Sequence, residues 1–173
     1  MALTATATDK IKDEIIEKLQ LKDVVLFRTS LKRANLSYNV YLSTDKKGDL
    51  LYYLRKYPGP SIVFVRNRKL TYEIANFLNQ NGFDADFFHA KLTKEEKEQK
   101  QHDWTISNSR IMVSTNAFGM GIDKPNVRTV FHIDLPAGIE AYYQEVGRAG
   151  RDEKEAHGIY LFHPDDRIYS EKI

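Results

Sequence analysis

Short apolar runs alternate with amphipathic stretches from one end of the chain to the other, with no internal repeat and no low-complexity segment. Apolar positions three and four apart mark helices, whereas short continuous or alternating apolar runs mark strands. After LTATA, Thr8 or Asp9 can cap a helix whose Ile11, Ile15, Ile16 and Leu19 share a face, and VVLF (24–27) then reads as a buried strand. YNVYL (38–42) alternates like a strand, and Leu50, Leu51 and Leu54 suggest a helix that Pro58-Gly59-Pro60 breaks. SIVFV (61–65) is apolar enough to be a central parallel strand. A helix over about 70–81 is expected to stop at Gly82 in a left-handed cap. Thr93 and Glu96 form a capping box for the next helix. DADFFH (84–89), RIMVST (110–115), VRTVFHI (127–133) and GIYLF (158–162) complete the strands, with a helix holding residues 142–147 before the last. Strands separated by helix-length segments imply parallel crossovers, so the predicted fold is α/β, a three-layer α/β/α sandwich with a mostly parallel central sheet.

Size and composition narrow the class. At 173 residues the chain can bury roughly two thirds of the surface its unfolded form exposes, which suffices for one domain without disulfides. It contains no Cys and five His, none in an H-E-x-x-H arrangement, so the sequence makes no case for zinc or another metal. Without disulfides a reducing compartment fits best: cytoplasmic and nucleoid-associated, or nuclear, and not secreted. No apolar run approaches the ~18 residues of a membrane span, and MALTATATDK lacks the charged start and apolar centre of a signal peptide. The expected protein is soluble, with no membrane partner. Net charge is +2, but 14 basic side chains face 7 acidic ones over residues 1–70, 7 face 9 over 71–139, and 5 face 8 over 140–173. A nucleic-acid-facing side and a solvated lysine-rich surface account for this asymmetry equally well.

In a parallel sheet of this kind, ligands collect at loops leaving the carboxyl ends of the strands. After SIVFV comes Arg66-Asn67-Arg68-Lys69, after DADFF comes His89-Ala90-Lys91, and after RIMVS comes a loop from Thr115 through Gly119 and Gly121 to Asp123. Each is rich in groups that donate to phosphate, and the glycines of the third permit close backbone approach. Alone, each is an ordinary solvated loop; their recurrence at successive strand ends points to a polyanion-facing edge.

The residues also carry a family resemblance. LTATAT (3–8), SIVFVRNR (61–68), STNAFGMGIDKPNVR (114–128) and YYQEVGRAGRD (142–152) resemble helicase motifs III, IV, V and VI of superfamily 2, in their RecQ-type form. The match runs in register from Leu3 to about Asp166, whereas DEAD-box RNA helicases share only the GR-x-GR core of the last motif. The resemblance implies the second RecA-like motor lobe of an ATP-dependent 3′–5′ DNA helicase; the second lobe of an RNA helicase, or a non-catalytic α/β module that binds nucleic acid or protein, is the alternative. Residues 1–8 correspond to the end of motif III and the interlobe segment, and 9–173 to the lobe itself. The phosphate loop G-x-x-x-x-G-K-[ST] and the acidic Mg2+ motif of a first lobe do not occur, nor do the zinc-binding and winged-helix regions of longer members. The implied cofactors are therefore ATP and Mg2+, both held mainly by the first lobe. The implied partners are the N-terminal RecA-like lobe of the same polypeptide and single-stranded or duplex DNA. The chain alone is expected to be a monomer without ATPase activity.

Site residues carry over by motif position. Arg151 is expected to be an arginine finger, with Arg148 contacting the γ-phosphate or holding the finger in place. A guanidinium supplies a planar, permanently charged fork to the charge that builds on the phosphoryl oxygens. A structural salt-bridge cluster with Glu145 and Asp152 is the alternative. If the segment is helical, a spacing of three puts both arginines on one face, and Gly147 and Gly150 would admit the nucleotide closely. Gln144 corresponds to a polar contact that senses the bound state, and Gly121 and Asp123 join the nucleotide side. Asp123 either touches the ribose hydroxyl or the interlobe network, or caps its own loop. Asn67, Arg68, His89 and Thr115 are expected to contact DNA through its backbone, without reading base order. Two positions depart from the family: Lys91 replaces a glycine, and Ala34 in SLKRAN replaces a proline.

Overall fold

The computed structural model describes residues 9–22, 24–25, 32–107, 110–118 and 124–166. The chain divides into two compact units, 1–34 and 35–173. In the first, helix α1 (Asp9–Lys18) forms where the apolar spacing placed it. The VVLF strand does not form at Val24 and Val25, which lie in no strand and are 41% and 75% exposed. A strand needs a ladder partner for its backbone as well as apolar side chains, and neither residue belongs to one; Leu26 and Phe27 lie outside the described residues, as does LTATAT.

The second unit is built on six strands: β1 (Leu36–Leu42), β2 (Ser61–Phe64), β3 (Ala85–Phe88), β4 (Ile111–Ser114), β5 (Thr129–His132) and β6 (Ala156–Phe162). They form one sheet in the order β1-β6-β5-β2-β4-β3, and every neighbouring pair is parallel. Four helices cross between strands: α2 (Lys46–Lys56), α3 (Arg68–Gln80), α4 (Lys94–Ile106) and α5 (Ile139–Val146). Side chains alternate across the pleat, so one core holds Ile62, Phe64, Met112 and Val130 against Trp104 of α4 and Val146 of α5. The other holds Val63, Val113, Phe131 and Ile159 against Leu50 and Leu54 of α2 and Ile74 and Leu78 of α3. The result is the three-layer α/β/α sandwich expected, with SIVFV central between β5 and β4. Each such fully buried aliphatic side chain is worth about 1.5–3 kcal/mol relative to exposure.

Local signals hold the helices in register. The Thr93 hydroxyl accepts from the Glu96 N–H at 3.2 Å while the Glu96 carboxylate accepts from the Thr93 N–H at 2.8 Å, completing the capping box of α4. Gly82 adopts φ +83° after α3. Its N–H donates to the Asn79 carbonyl and the Phe83 N–H to the Leu78 carbonyl, both at 3.1 Å, the paired bonds of a left-handed helix end. Phe64, Ser114 and Phe88 are in register, so the loops after β2, β4 and β3 open at one edge. Among the described residues no helix is long and apolar enough to cross a membrane.

Candidate functional site

The two arginines sit where α5 meets the opposite, amino edge of the sheet. Helix α5 can seat there because β6 carries Gly158 beneath it: a Cβ at that position would stand 2.4 Å from Val146 Cγ1. The helix ends at Val146, and the chain continues in a tight turn in which the Arg148 N–H donates to Glu145 O (3.3 Å) and the Ala149 N–H to Val146 O (3.0 Å). Gly150 then takes φ +60°. The arginines are therefore not one face of a helix, as their spacing suggested, because a left-handed glycine separates them. Gly150 is buried, and a Cβ there would lie 2.7 Å from Ala156 Cβ and from Asn35 Nδ2. That glycine permits close packing of the turn on its own sheet.

Despite the turn, Arg148 and Arg151 line one shallow, open depression together with Lys124, Trp104, Phe118, Ile62 and Val127. Arg148 is half-buried and Arg151 exposed. Burial, and after it the neighbouring charge of Arg151, lowers the Arg148 pKa from its ordinary value, with Glu145 pulling the other way. The guanidinium nonetheless remains charged at any physiological pH. Lys124 is only 4% exposed. Its ammonium donates to the Thr105 carbonyl at 2.8 Å and to the Ser107 carbonyl, and lies 5.2 Å from the Trp104 ring. It thus ties the carboxyl end of α4 to the strand β5 approach, where a cation meets unsatisfied helix carbonyls favourably. Burial lowers its pKa. The 114–128 motif contains Lys124 but assigned it no role, because that role depends on a helix end some twenty residues away.

Gln144 is exposed on α5, one helical turn before Arg148. Its neighbour Glu145 turns inward instead and accepts from His132 Nε2 at 2.7 Å. His132 is 1% exposed, with its ring 5.2 Å from Phe64 and 4.9 Å edge-on to Tyr142. This polar contact fixes α5 to the end of β5. Gly121 and Asp123 lie outside the described residues. Among the described residues no three His, Asp or Glu side chains gather as metal ligands.

The four remaining candidates meet at the carboxyl edge. Asn67 caps α3, its side-chain oxygen accepting from the Leu70 N–H at 3.0 Å, and Arg68 is the exposed first residue of that helix. Thr115 follows β4, half-buried. His89 follows β3, with its ring 5.7 Å from Phe87 and a buried Nδ1 lacking a hydrogen-bond partner. Ser114 Oγ donates to Phe88 O at 3.0 Å, which brings these two strand ends together. The sheet thus separates the candidates into two groups, four polar residues at its carboxyl edge and the arginine pair at its amino edge.

An all-parallel α/β/α sandwich of this kind is the fold of the RecA-like helicase C-terminal lobes. The profile of the helicase conserved C-terminal domain matches residues 45–153, and the chain belongs to that family. In sequence it is similar to RecQ-type DNA helicases. Over 174 residues it is 37% identical to ATP-dependent DNA helicase RecQ of Pasteurella multocida, covering 100% of this chain and 28% of that protein. It is 39% identical over 159 residues to ATP-dependent helicase wrn-1 of Caenorhabditis elegans, covering 88% of this chain and 15% of that protein. The chain therefore spans under a third of either relative. Among solved structures, the E. coli DEAD-box protein SrmB, bound to regulator of ribonuclease activity A, superposes with a TM-score of 0.66. That alignment is at 27% identity and covers 79% of this chain and 81% of that one.

Proposed function

We propose that the chain acts as the second motor lobe of an ATP-dependent 3′–5′ DNA helicase. Residues 9–173 are the lobe and 1–8 the interlobe segment. The observation that carries this reading is the gathering of Arg148, Arg151 and Lys124 around one depression, on the opposite edge from Asn67, Arg68, His89 and Thr115.

In this reading ATP and Mg2+ are held mainly by the partner lobe of the same polypeptide, and this lobe supplies charge. As the γ-phosphoryl group separates from ADP, negative charge grows on its oxygens and on the bridging oxygen. Arg151, exposed at the mouth, neutralises it; Arg148, half-buried behind, holds the γ-phosphate and keeps the finger's surroundings cationic. Such a finger is worth about 10³ to 10⁵ in rate. Gln144 reports whether nucleotide is present, and Gly121 and Asp123 contact its sugar side. Asn67, Arg68, His89 and Thr115 grip the DNA backbone, which permits sliding because every nucleotide offers the same contacts. Binding of ATP favours the closed cleft and loss of the γ-phosphate releases it, so the two lobes grip alternately. The chain alone is a monomer that binds single strands weakly and turns over no ATP. Its place is with DNA, in the nucleoid or the nucleus.

The test is Arg151→Ala in the full-length protein. Turnover of ATP should fall by about 10³ or more, while affinity for single strands stays within about threefold, since those contacts lie elsewhere. Unchanged turnover would remove Arg151 from the reaction.

A further inference from the structure

The geometry points to Arg128 and Asn35 as positioning residues for Arg151, acting by pinning the backbone on both sides of it. This inference rests on the reading of Arg151 as a finger.

On the amino-terminal side of Arg151, Gly150 is held through both of its backbone groups. Its N–H donates to Val127 O at 2.9 Å, and its carbonyl accepts from Asn35 Nδ2 at 2.8 Å. The same Asn35 amide donates to Lys154 O at 2.8 Å, and the Asn35 carbonyl accepts from the Ala156 N–H at 2.9 Å. One asparagine thus closes the loop on itself and onto the start of β6. On the other side, the Asp152 N–H donates to Pro125 O at 3.2 Å, and its carboxylate accepts from Arg128 Nη2 at 2.6 Å. Arg128 also donates through Nε to Asn126 O and through Nη1 to Glu155 O, each at 3.0 Å. All three faces of its guanidinium fork are engaged inside the protein. The Arg128 hydrogen bond is the largest of the influences that hold the Asp152 carboxyl below its usual range.

The sequence makes room for this clamp. Gly59 adopts φ +123°, and a Cβ there would stand 2.5 Å from Arg128 Cγ. The Arg128 backbone is itself fixed, its N–H donating to Pro60 O at 2.8 Å and its carbonyl accepting from the His157 N–H at 2.9 Å. Arg151 is thus an exposed side chain on a backbone held at both flanking residues. A free loop residue must lose backbone freedom when the nucleotide closes on it, and a finger whose backbone is already ordered avoids that cost. Three of the five guanidinium N–H donors of Arg128 are used on the protein itself, and one of them holds Asp152 beside the finger. Arg128 acts through Arg151.

The experiment compares five variants of the full-length protein: R151A, R128A, R128K, N35A and the double variant R128A/R151A. DNA-stimulated ATP turnover, KM for ATP, single-strand affinity and melting temperature are read for each. If positioning is the role, R128A and N35A lower kcat at least about tenfold with KM within about twofold, since misplacement by about 1 Å can cost 100-fold. R128K keeps a charge opposite Asp152 but loses the fork, so its kcat falls as well. The double variant turns over no more slowly than R151A alone, because removing the anchor of an absent finger costs nothing further. Wild-type kcat in folded R128A and N35A overturns the inference, as does a double variant far below R151A. Should R128A not fold, R128K and N35A decide by the same criteria. Full turnover by R151A would instead sink the finger reading itself, a separate outcome.

Discussion

Replacing Glu145 by alanine removes the hydrogen-bond partner of an imidazole that the fold has buried almost completely. His132 is 1% exposed, its Nε2 lies 2.7 Å from Glu145 Oε2, and aromatic rings of Phe64 and Tyr142 pack against it. Opposite an ionised carboxylate Nε2 carries the proton, so E145A leaves a buried N–H without an acceptor. The penalty for such a group is about 1–3 kcal/mol. For a protein of this size each kcal/mol moves the melting temperature by about 2–4 °C, giving an expected fall of roughly 2–12 °C. Circular dichroism melts of the chain measure it directly. E145Q, whose side-chain carbonyl still accepts, should recover most of the loss. H132A/E145A should lose less than the sum of its single variants, since neither partner is then left stranded. A melting temperature for E145A within about 1 °C of wild type would refute the reasoning that this contact anchors α5.

Three further outcomes follow from the structure. Gly158→Ala places a Cβ 2.4 Å from Val146 Cγ1, and overpacking of this kind should cost about 1–3 kcal/mol in denaturant melts. Asp166 is pushed up by burial, but hydrogen bonds from the His163 N–H, Lys46 and Tyr160 outweigh that and leave its pKa below the ordinary value. Its stabilising contribution is therefore full above the unfolded carboxylate range near pH 4 and lost as pH falls through the lower folded value; D166N should flatten the acid limb of a stability-versus-pH curve. Single-strand binding by the chain should weaken linearly in log salt, and R68A should reduce that slope by about 0.7, one phosphate's worth.

Much of the fold was legible because local and global signals agree. The Thr93-Glu96 box, the Gly82 stop and the apolar SIVFV run each state a local requirement that the sheet then uses without change. Val24 and Val25 of VVLF misled for the opposite reason: apolarity speaks to burial, and a ladder is decided by which strands are neighbours. At the site, the motif spacing picked out the arginines but not their setting. The helix end at Val146 and the left-handed Gly150 follow from packing against Ala156 and Asn35, residues far away in sequence. Lys124, Arg128 and Glu145 lie inside the motifs, but their partners were not legible for the same reason, since those partners lie on other elements. The expectation that ligands collect at carboxyl strand ends suits Asn67, Arg68, His89 and Thr115. The arginine pair lies at the other edge, because the turn after α5 must return to the beginning of β6.

The most direct measurement is a structure of the full-length protein holding a transition-state analogue of ATP. The expected result is the Arg151 guanidinium about 3 Å from oxygens at the γ position, with the turn from Arg148 to Asp152 unchanged from its present form. An Arg151 side chain in solvent, its nearest phosphate oxygen beyond the ~8 Å over which salt screens a charge, would contradict it.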